Sequence, residues 1–383
     1  MVTVTGHAYP WDVIGDLSFP DRVRELGLTG VTLAASYHST RAATPLHPRH
    51  QLVDARWAAL YRPVRDSVWA PHRLRPGAAE WMTEADPFGV AADALRRAGV
   101  PVTAWIVLTH STRLGSAHPD LAVTNCFGER YPYALCPANP QVRDYAATLT
   151  AEAVRDVPVD AVSLEACGQL GLAHLGHHEK TDDAWTANAA RLLSICCCQG
   201  CQSAWRERGL DPGEVVDRLR ADVHAEAARG SDPSPTPLTD PMAGHLLATR
   251  HAATDALRTQ VLAALREVLP DAPVTLHANP DPWATGPSPG LTPTAAADVD
   301  ALLVPAWPTG PAGAEIVTRA ARTGRPVDAY VTVLPPAAPD ALADHVRRLR
   351  GAGATRFSLY HLGLAPAWRQ RLFVEIVKAV HDD

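Results

Sequence analysis

Val159-Asp-Ala-Val-Ser-Leu-Glu-Ala-Cys-Gly168 is the stretch on which the fold turns. Val159, Ala161, Val162 and Leu164 make it strand-like, and Glu165 follows where the chain turns toward Gly168. An ionised carboxylate at the mouth of an apolar strand is costly unless something pairs with it or uses it. In a barrel of parallel strands, a carboxylate at the C-terminal end of a strand lies in the mouth where active sites form. Glu165 is thus the first candidate for chemistry, and the fold hangs on whether its strand has seven companions.

Seven similar runs flank it. Val2-Thr-Val-Thr-Gly-His7, Gly30-Val-Thr-Leu-Ala-Ala-Ser-Tyr-His38 and Val102-Thr-Ala-Trp-Ile-Val-Leu-Thr-His110 come before it. Pro273-Val-Thr-Leu-His-Ala-Asn279, Val299-Asp-Ala-Leu-Leu-Val-Pro-Ala-Trp307, Pro326-Val-Asp-Ala-Tyr-Val-Thr-Val333 and Arg356-Phe-Ser-Leu-Tyr-His361 come after. Helical patterns lie between them at Asp21 to Leu26, Asp86 to Ala98, Pro140 to Arg155, Leu247 to Val268 and Pro339 to Gly351, and Pro366 to His381 closes the chain. Near-continuous apolar strands alternating with helices imply a parallel sheet covered on its outer face. Eight such units predict one (β/α)8 TIM barrel over residues 1–383. An open doubly wound sheet is the alternative, but no Gly-x-Gly-x-x-Gly follows the first strand.

The segment from Gly168 to Arg229 is too long for an ordinary strand-to-helix loop. Residues 168–235 are expected to form an insertion after strand 4 that covers the barrel mouth, and Gly230-Ser-Asp-Pro-Ser-Pro-Thr-Pro237 reads as an exposed loop. With 383 residues, 46% hydrophobic and 20% charged, the chain can bury a large core without staples. The net charge of −6 and the lack of a Lys/Arg cluster argue against nucleic acid and a membrane surface as partners. The N-terminus lacks the charged start and apolar run of a signal peptide, so a cytoplasmic protein is expected. The oligomeric state stays open, a homo-oligomer included.

The predicted strand ends gather aromatic rings and imidazoles, His7, Tyr9, Trp11, Tyr37, His38, His110, His277, Trp307, Tyr330, Tyr360 and His361, together with the amide of Asn279. Flat apolar sugar faces stack on such rings, while hydroxyls need paired donors and acceptors, so this lining suits a small carbohydrate or polyol. A phosphate would want a glycine-rich loop or basic pair at the last two strands, and Tyr330, Thr332 and Tyr360 offer neither.

Four of the seven cysteines fall within Ile195-Cys-Cys-Cys-Gln-Gly-Cys-Gln-Ser-Ala-Trp205. Cys196, Cys198 and Cys201 have a C-x-C-x-x-C spacing, a compact thiolate set of the kind that holds zinc. Cys136, in Leu135-Cys-Pro-Ala-Asn-Pro140, is the best fourth ligand for a closed, structural site. Cys197 can stand in for a neighbour, and Cys126 for Cys136.

From Cys136-Pro-Ala-Asn-Pro-Gln-Val-Arg-Asp-Tyr145, through Val-Ser-Leu-Glu165, to the cysteine run and Ala-Trp-Arg206, the chain resembles the middle of the family-42 β-galactosidases. That resemblance implies a retaining glycosidase on a (β/α)8 barrel, Glu165 as acid/base, and a structural zinc on Cys136, Cys196, Cys198 and Cys201. The chain departs from the family pattern in two places. Leu164 stands where the family has Asn, and no Glu ends the seventh strand as nucleophile. Candidates for the second group are Glu179, in His174-Leu-Gly-His-His-Glu-Lys180, Asp281, and Tyr330, since some glycosidases use Tyr. His277 with His177 or His178 and Glu165 is a candidate catalytic metal set. A glycoside hydrolase-like enzyme is therefore expected, with a catalytically silent sugar-binding barrel, or a sugar isomerase or lyase using His and Glu, as alternatives.

Overall fold

The structure is a computed structural model that describes residues 2–174, 180–181, 184–229 and 240–381. All eight predicted strands are present: β1 Thr3–Ala8, β2 Gly30–Tyr37, β3 Val102–Val107, β4 Ala161–Glu165, β5 Val274–His277, β6 Ala301–Pro305, β7 Val327–Thr332 and β8 Ala354–Tyr360. Each pairs in parallel with the next, and β1 pairs with both β2 (Thr5 opposite Gly30) and β8 (Thr3 opposite Arg356). That double pairing closes the barrel and excludes the open doubly wound sheet. Strands covered on both sides have no polar face to show, so β2 is buried at every position.

Three of the outer helices share one start signal. In α1 (Pro87–Arg97), α2 (Pro140–Val154) and α3 (Pro241–Val268), proline takes the first helical position, where its missing N–H costs nothing. Asp86, Asn139 and Asp240 cap them by accepting from the N–H groups of Gly89, Gln141 and Ala243. The last helix therefore begins six residues before the expected Leu247, because Asp240-Pro241 is a cap and not a loop tail. Gly99, at φ +74°, ends α1 in the left-handed conformation that glycine adopts without strain.

Two connections carry more structure than their sequence suggested. Between β2 and β3, Thr40–Ala43 and Leu52–Ala55 form a hairpin, and Ala59–Leu60 adds an antiparallel edge to the top of β2. Between β3 and α2, Ala122–Thr124 and Arg130–Leu135 form a second hairpin. Its turn is tied by Asn125, whose Oδ1 accepts from the N–H groups of Phe127 and Glu129. Between β4 and α3 the described residues include helices Ala187–Leu193, Gln199–Glu207 and Pro212–Arg229. No helix among the described residues is long and apolar enough to cross a membrane.

Candidate active site

Glu165 is the last residue of β4 and is 3% exposed. It stands at the base of a cavity of about 490 Å3 over the C-terminal ends of the strands. Tyr37, Trp105, Tyr330 and Tyr360 reach the cavity from β2, β3, β7 and β8, and Trp307 from just beyond β6. The opposite wall comes from the chain after β4, through Leu170, Leu172, His174, Trp185 and Ala190. Tyr133 braces this wall from the second hairpin, donating to the carbonyls of Gly171 (2.8 Å) and Leu172 (2.9 Å).

Two opposed effects set the state of Glu165. Burial pushes its pKa up to about 8, and the indole N–H of Trp105, donating to Oε2 at 2.8 Å, pulls it down. Burial wins, so the side chain is a neutral acid at pH 7. His277 Nδ1 lies 3.7 Å from the same oxygen, beyond hydrogen-bond range. Burial lowers the His277 pKa to about 3. The close pair is thus two neutral groups and not a salt bridge. Three tyrosine hydroxyls meet beside the cavity: those of Tyr9 and Tyr360 lie 3.3 Å apart, and Tyr37 joins them.

The structure sorts the expected residues by depth. Tyr37, His38, His110, Trp307, Tyr330 and Tyr360 line the cavity with Glu165. His7, Tyr9, Trp11, His277 and His361 do not; each is at most 1% exposed and packs below the lining. Tyr9 is stacked on His361 at 4.2 Å, and Trp11 meets Tyr61 edge-on at 5.7 Å. The strand end alone does not decide depth, since Tyr360 lines the cavity while His361 beside it is fully buried. Asn279 turns away, its Oδ1 accepting from the Asp281 N–H, and the Asp281 carboxylate is held by Arg191 at 2.6 Å outside the cavity. Glu179, His177 and His178 lie outside the described residues. Among the described residues, Glu165 is the only carboxylate in the lining, and the candidate metal set of His277 and Glu165 needs His177 or His178, which lie outside the described residues.

Trp105, His174 and Trp185 were not anticipated. Trp105 reads as core because it is mid-strand, and only its register opposite Ser163 brings its indole to Glu165. His174 extends the line of imidazoles: its Nε2 is 2.9 Å from His110 Nε2, and His110 packs on His38 at 4.3 Å between ring centroids.

The cysteines form a second centre. The sulfurs of Cys136, Cys196, Cys198 and Cys201 all lie within 4.8 Å of one another, and all four residues are buried. Cys136 is 3.6 Å from both Cys198 and Cys201. A disulfide would need roughly 2 Å, whereas a tetrahedral ion with bonds of about 2.3 Å separates its sulfurs by about 3.8 Å. The set therefore has the geometry of a metal site. The neighbouring thiols of Cys136, Cys196 and Cys201 hold the Cys198 thiol far below its usual range. Cys197 and Cys126, the expected stand-ins, stay outside it. The hairpin joins both centres, because Cys136 follows its second strand and Cys197 N–H donates to Thr124 O at 2.6 Å.

No family model and no curated protein matches the chain. Solved structures do. An α-L-fucosidase isoenzyme 2 from Paenibacillus thiaminolyticus aligns over 99% of this chain and 49% of its own, with 14% identity and a TM-score of 0.60. The PgaB (BpsB) glycoside hydrolase domain from Bordetella bronchiseptica aligns over 94% of both chains, with 18% identity and a TM-score of 0.55. A GH42 β-galactosidase from G. stearothermophilus aligns over 99% of this chain and 56% of its own, with 12% identity and a TM-score of 0.57. The chain thus spans about half the length of the fucosidase and the galactosidase. What it shares with all three is the (β/α)8 barrel.

Proposed function

We propose that the chain is a glycoside hydrolase-like enzyme that takes a carbohydrate or glycoside into the cavity, with Glu165 as general acid. The observation that carries this reading is a carboxyl kept protonated by burial where a sugar ring would sit. A general acid needs a pKa near the working pH, and Glu165 has one. After it gives its proton to the leaving oxygen, the Trp105 N–H is in place to hold the carboxylate. Tyr37, Trp307, Tyr330 and Tyr360 provide ring faces for stacking and keep water out. The glycosidase names of the structural neighbours agree with this substrate class. Tyr330, whose hydroxyl is raised by burial and by the nearby Glu165, and Glu179 are the candidates for the second group.

The four-cysteine cluster is assigned to a structural zinc. A closed thiolate set leaves no open position for substrate, so the ion holds the hairpin that braces the cavity wall.

The test is a panel of aryl glycosides with wild type and Glu165→Gln. Turnover should fall by about 10²–10⁴ in the variant, with sugar binding retained within a few-fold. Unchanged turnover rejects Glu165 as the acid. A second reading follows from the lack of another carboxylate among the described lining residues: a wild-type protein that binds sugars but cleaves none is a sugar-binding barrel.

A further inference from the structure

Arg250, on α3, is a buried cation that meets backbone and ring rather than an acid. The residue is 8% exposed. One guanidinium nitrogen, Nη1, donates to Trp283 O at 2.8 Å, and the other, Nη2, donates to Ser194 O at 3.1 Å. The Trp283 ring lies 5.3 Å from the guanidinium carbon. Trp283 follows β5, and Ser194 ends the helix Ala187–Leu193, so one side chain ties three parts of the fold.

This arrangement leaves a charge to be balanced. A guanidinium does not give up its proton inside a protein. Taking it out of water is costly unless an opposite charge stands near. Among the described residues, no carboxylate lies within ion-pair distance of Arg250. Asp281 attracts it from farther off, but that carboxylate is already held by Arg191 at 2.6 Å, and Arg191 repels Arg250. The stronger attractions come from Cys201 and Cys196, two members of the four-cysteine cluster. The chain itself enforces this closeness, because the carbonyl that Arg250 holds belongs to Ser194, two residues before Cys196.

The cluster can answer the charge in one state. Four thiols are neutral and leave Arg250 unbalanced. Four thiolates around a divalent ion carry a net double negative charge, of which one guanidinium offsets half. Buried thiolates repel one another, and a buried guanidinium wants an anion. Each half of the arrangement thus relieves the cost of the other.

We propose that Arg250 is the counter-ion of the four-cysteine site, raising its affinity for a divalent metal ion by balancing the charge of the loaded cluster. The proposal rests on the assignment of the cluster to zinc and adds a positioning residue outside the ligand set. It also links that centre to the cavity. Ser194 Oγ accepts from the Leu172 N–H at 2.9 Å, so the residue that Arg250 grips also holds part of the cavity wall.

Cobalt(II) tests this without sugar, because tetrahedral thiolate coordination gives that ion characteristic absorption bands. The full chain is stripped with a chelator and titrated with cobalt(II), as wild type, Arg250→Gln and Arg250→Lys. Lys keeps the charge and loses the fork; Gln keeps N–H donors and loses the charge. The cobalt Kd should rise by at least about tenfold in Arg250→Gln and stay within about threefold of wild type in Arg250→Lys. Wild-type affinity in Arg250→Gln overturns the counter-ion role. Equal losses in Gln and Lys overturn it too, since they would make Arg250 a clamp on two carbonyls. A wild-type chain that gives no thiolate bands overturns the zinc assignment, and the role of Arg250 falls with it. Should Arg250→Gln fail to fold by circular dichroism, Arg250→Met, which buries an apolar stem alone, takes its place with the same expected rise.

Discussion

The barrel buries a carboxylic acid near each of its two ends, and the strands treat them differently. Glu165 ends β4 and opens on a cavity of about 490 Å3 walled by aromatic rings. Asp328, near the start of β7, borders a space of about 20 Å3 among threonine and serine hydroxyls. Its Oδ2 accepts from Ser358 Oγ at 3.0 Å, and Arg356 is close. Burial raises both acids, Asp328 to about 6 and Glu165 to about 8. The lower acid has hydroxyl and guanidinium neighbours that accommodate its charge, and the upper one has a single indole donor. Similar residues at opposite ends thus meet different surroundings, a hydroxyl-lined gap for Asp328 and an open aromatic cavity for Glu165.

The largest effect that can break this comparison is on turnover. Asp328→Asn should leave kcat within about threefold while costing about 1–3 kcal/mol of stability, against the loss of two to four decades set out above for Glu165→Gln. Equal losses in the two variants would erase the distinction.

Next in size is the thiolate centre. Metal analysis should find one zinc per chain, lost in Cys136→Ser and Cys198→Ser. Melting should then fall by about 5–10 °C, and KM should rise because the Tyr133 brace loosens. A variant without metal but with an unchanged Tm would leave the cluster no structural part.

The pH dependence sharpens the contrast further. Acid catalysis requires the protonated form, so kcat/KM should fall as pH rises through about 8. Stability follows the same sign. The folded-state pKa of Glu165 lies above its ordinary value of 4.5, so its stabilising proton is fully present below about 4.5 and is lost as pH rises through about 8. Glu165→Gln has no charge to bury, and it should exceed wild type in stability above that pH by about 1–3 kcal/mol. The smallest change comes from Trp105→Phe. Losing the donor that favours the carboxylate should move the basic limb of the pH profile up by about 0.5–1 unit, and a downward move would contradict the assigned hydrogen bond.

Much of the architecture was legible because strands buried on both faces leave long apolar runs between caps such as Asp86-Pro87 and Asn139-Pro140. Glu165 stood out as a charge in such a run. Depth was not legible. His7 and His277 look like Tyr37 and Tyr330 in sequence, but how far each strand end rises, and what covers it, depends on barrel-wide stagger. Trp105 was hidden for the converse reason, as an apolar residue in a core strand whose one polar atom does the work. The hairpin Ala122–Thr124 with Arg130–Leu135 was missed because its turn depends on a side-chain bond from Asn125 rather than on an Asn-Gly signal.

The neutral pairing of Glu165 with His277 has a bearing on how ligands are chosen. A floor that carries no net charge at pH 7 exerts no long-range pull, so capture of an uncharged sugar should be indifferent to ionic strength. Selectivity then falls to shape and hydroxyl geometry, and a binding constant that drops steeply with added salt would contradict the neutral floor.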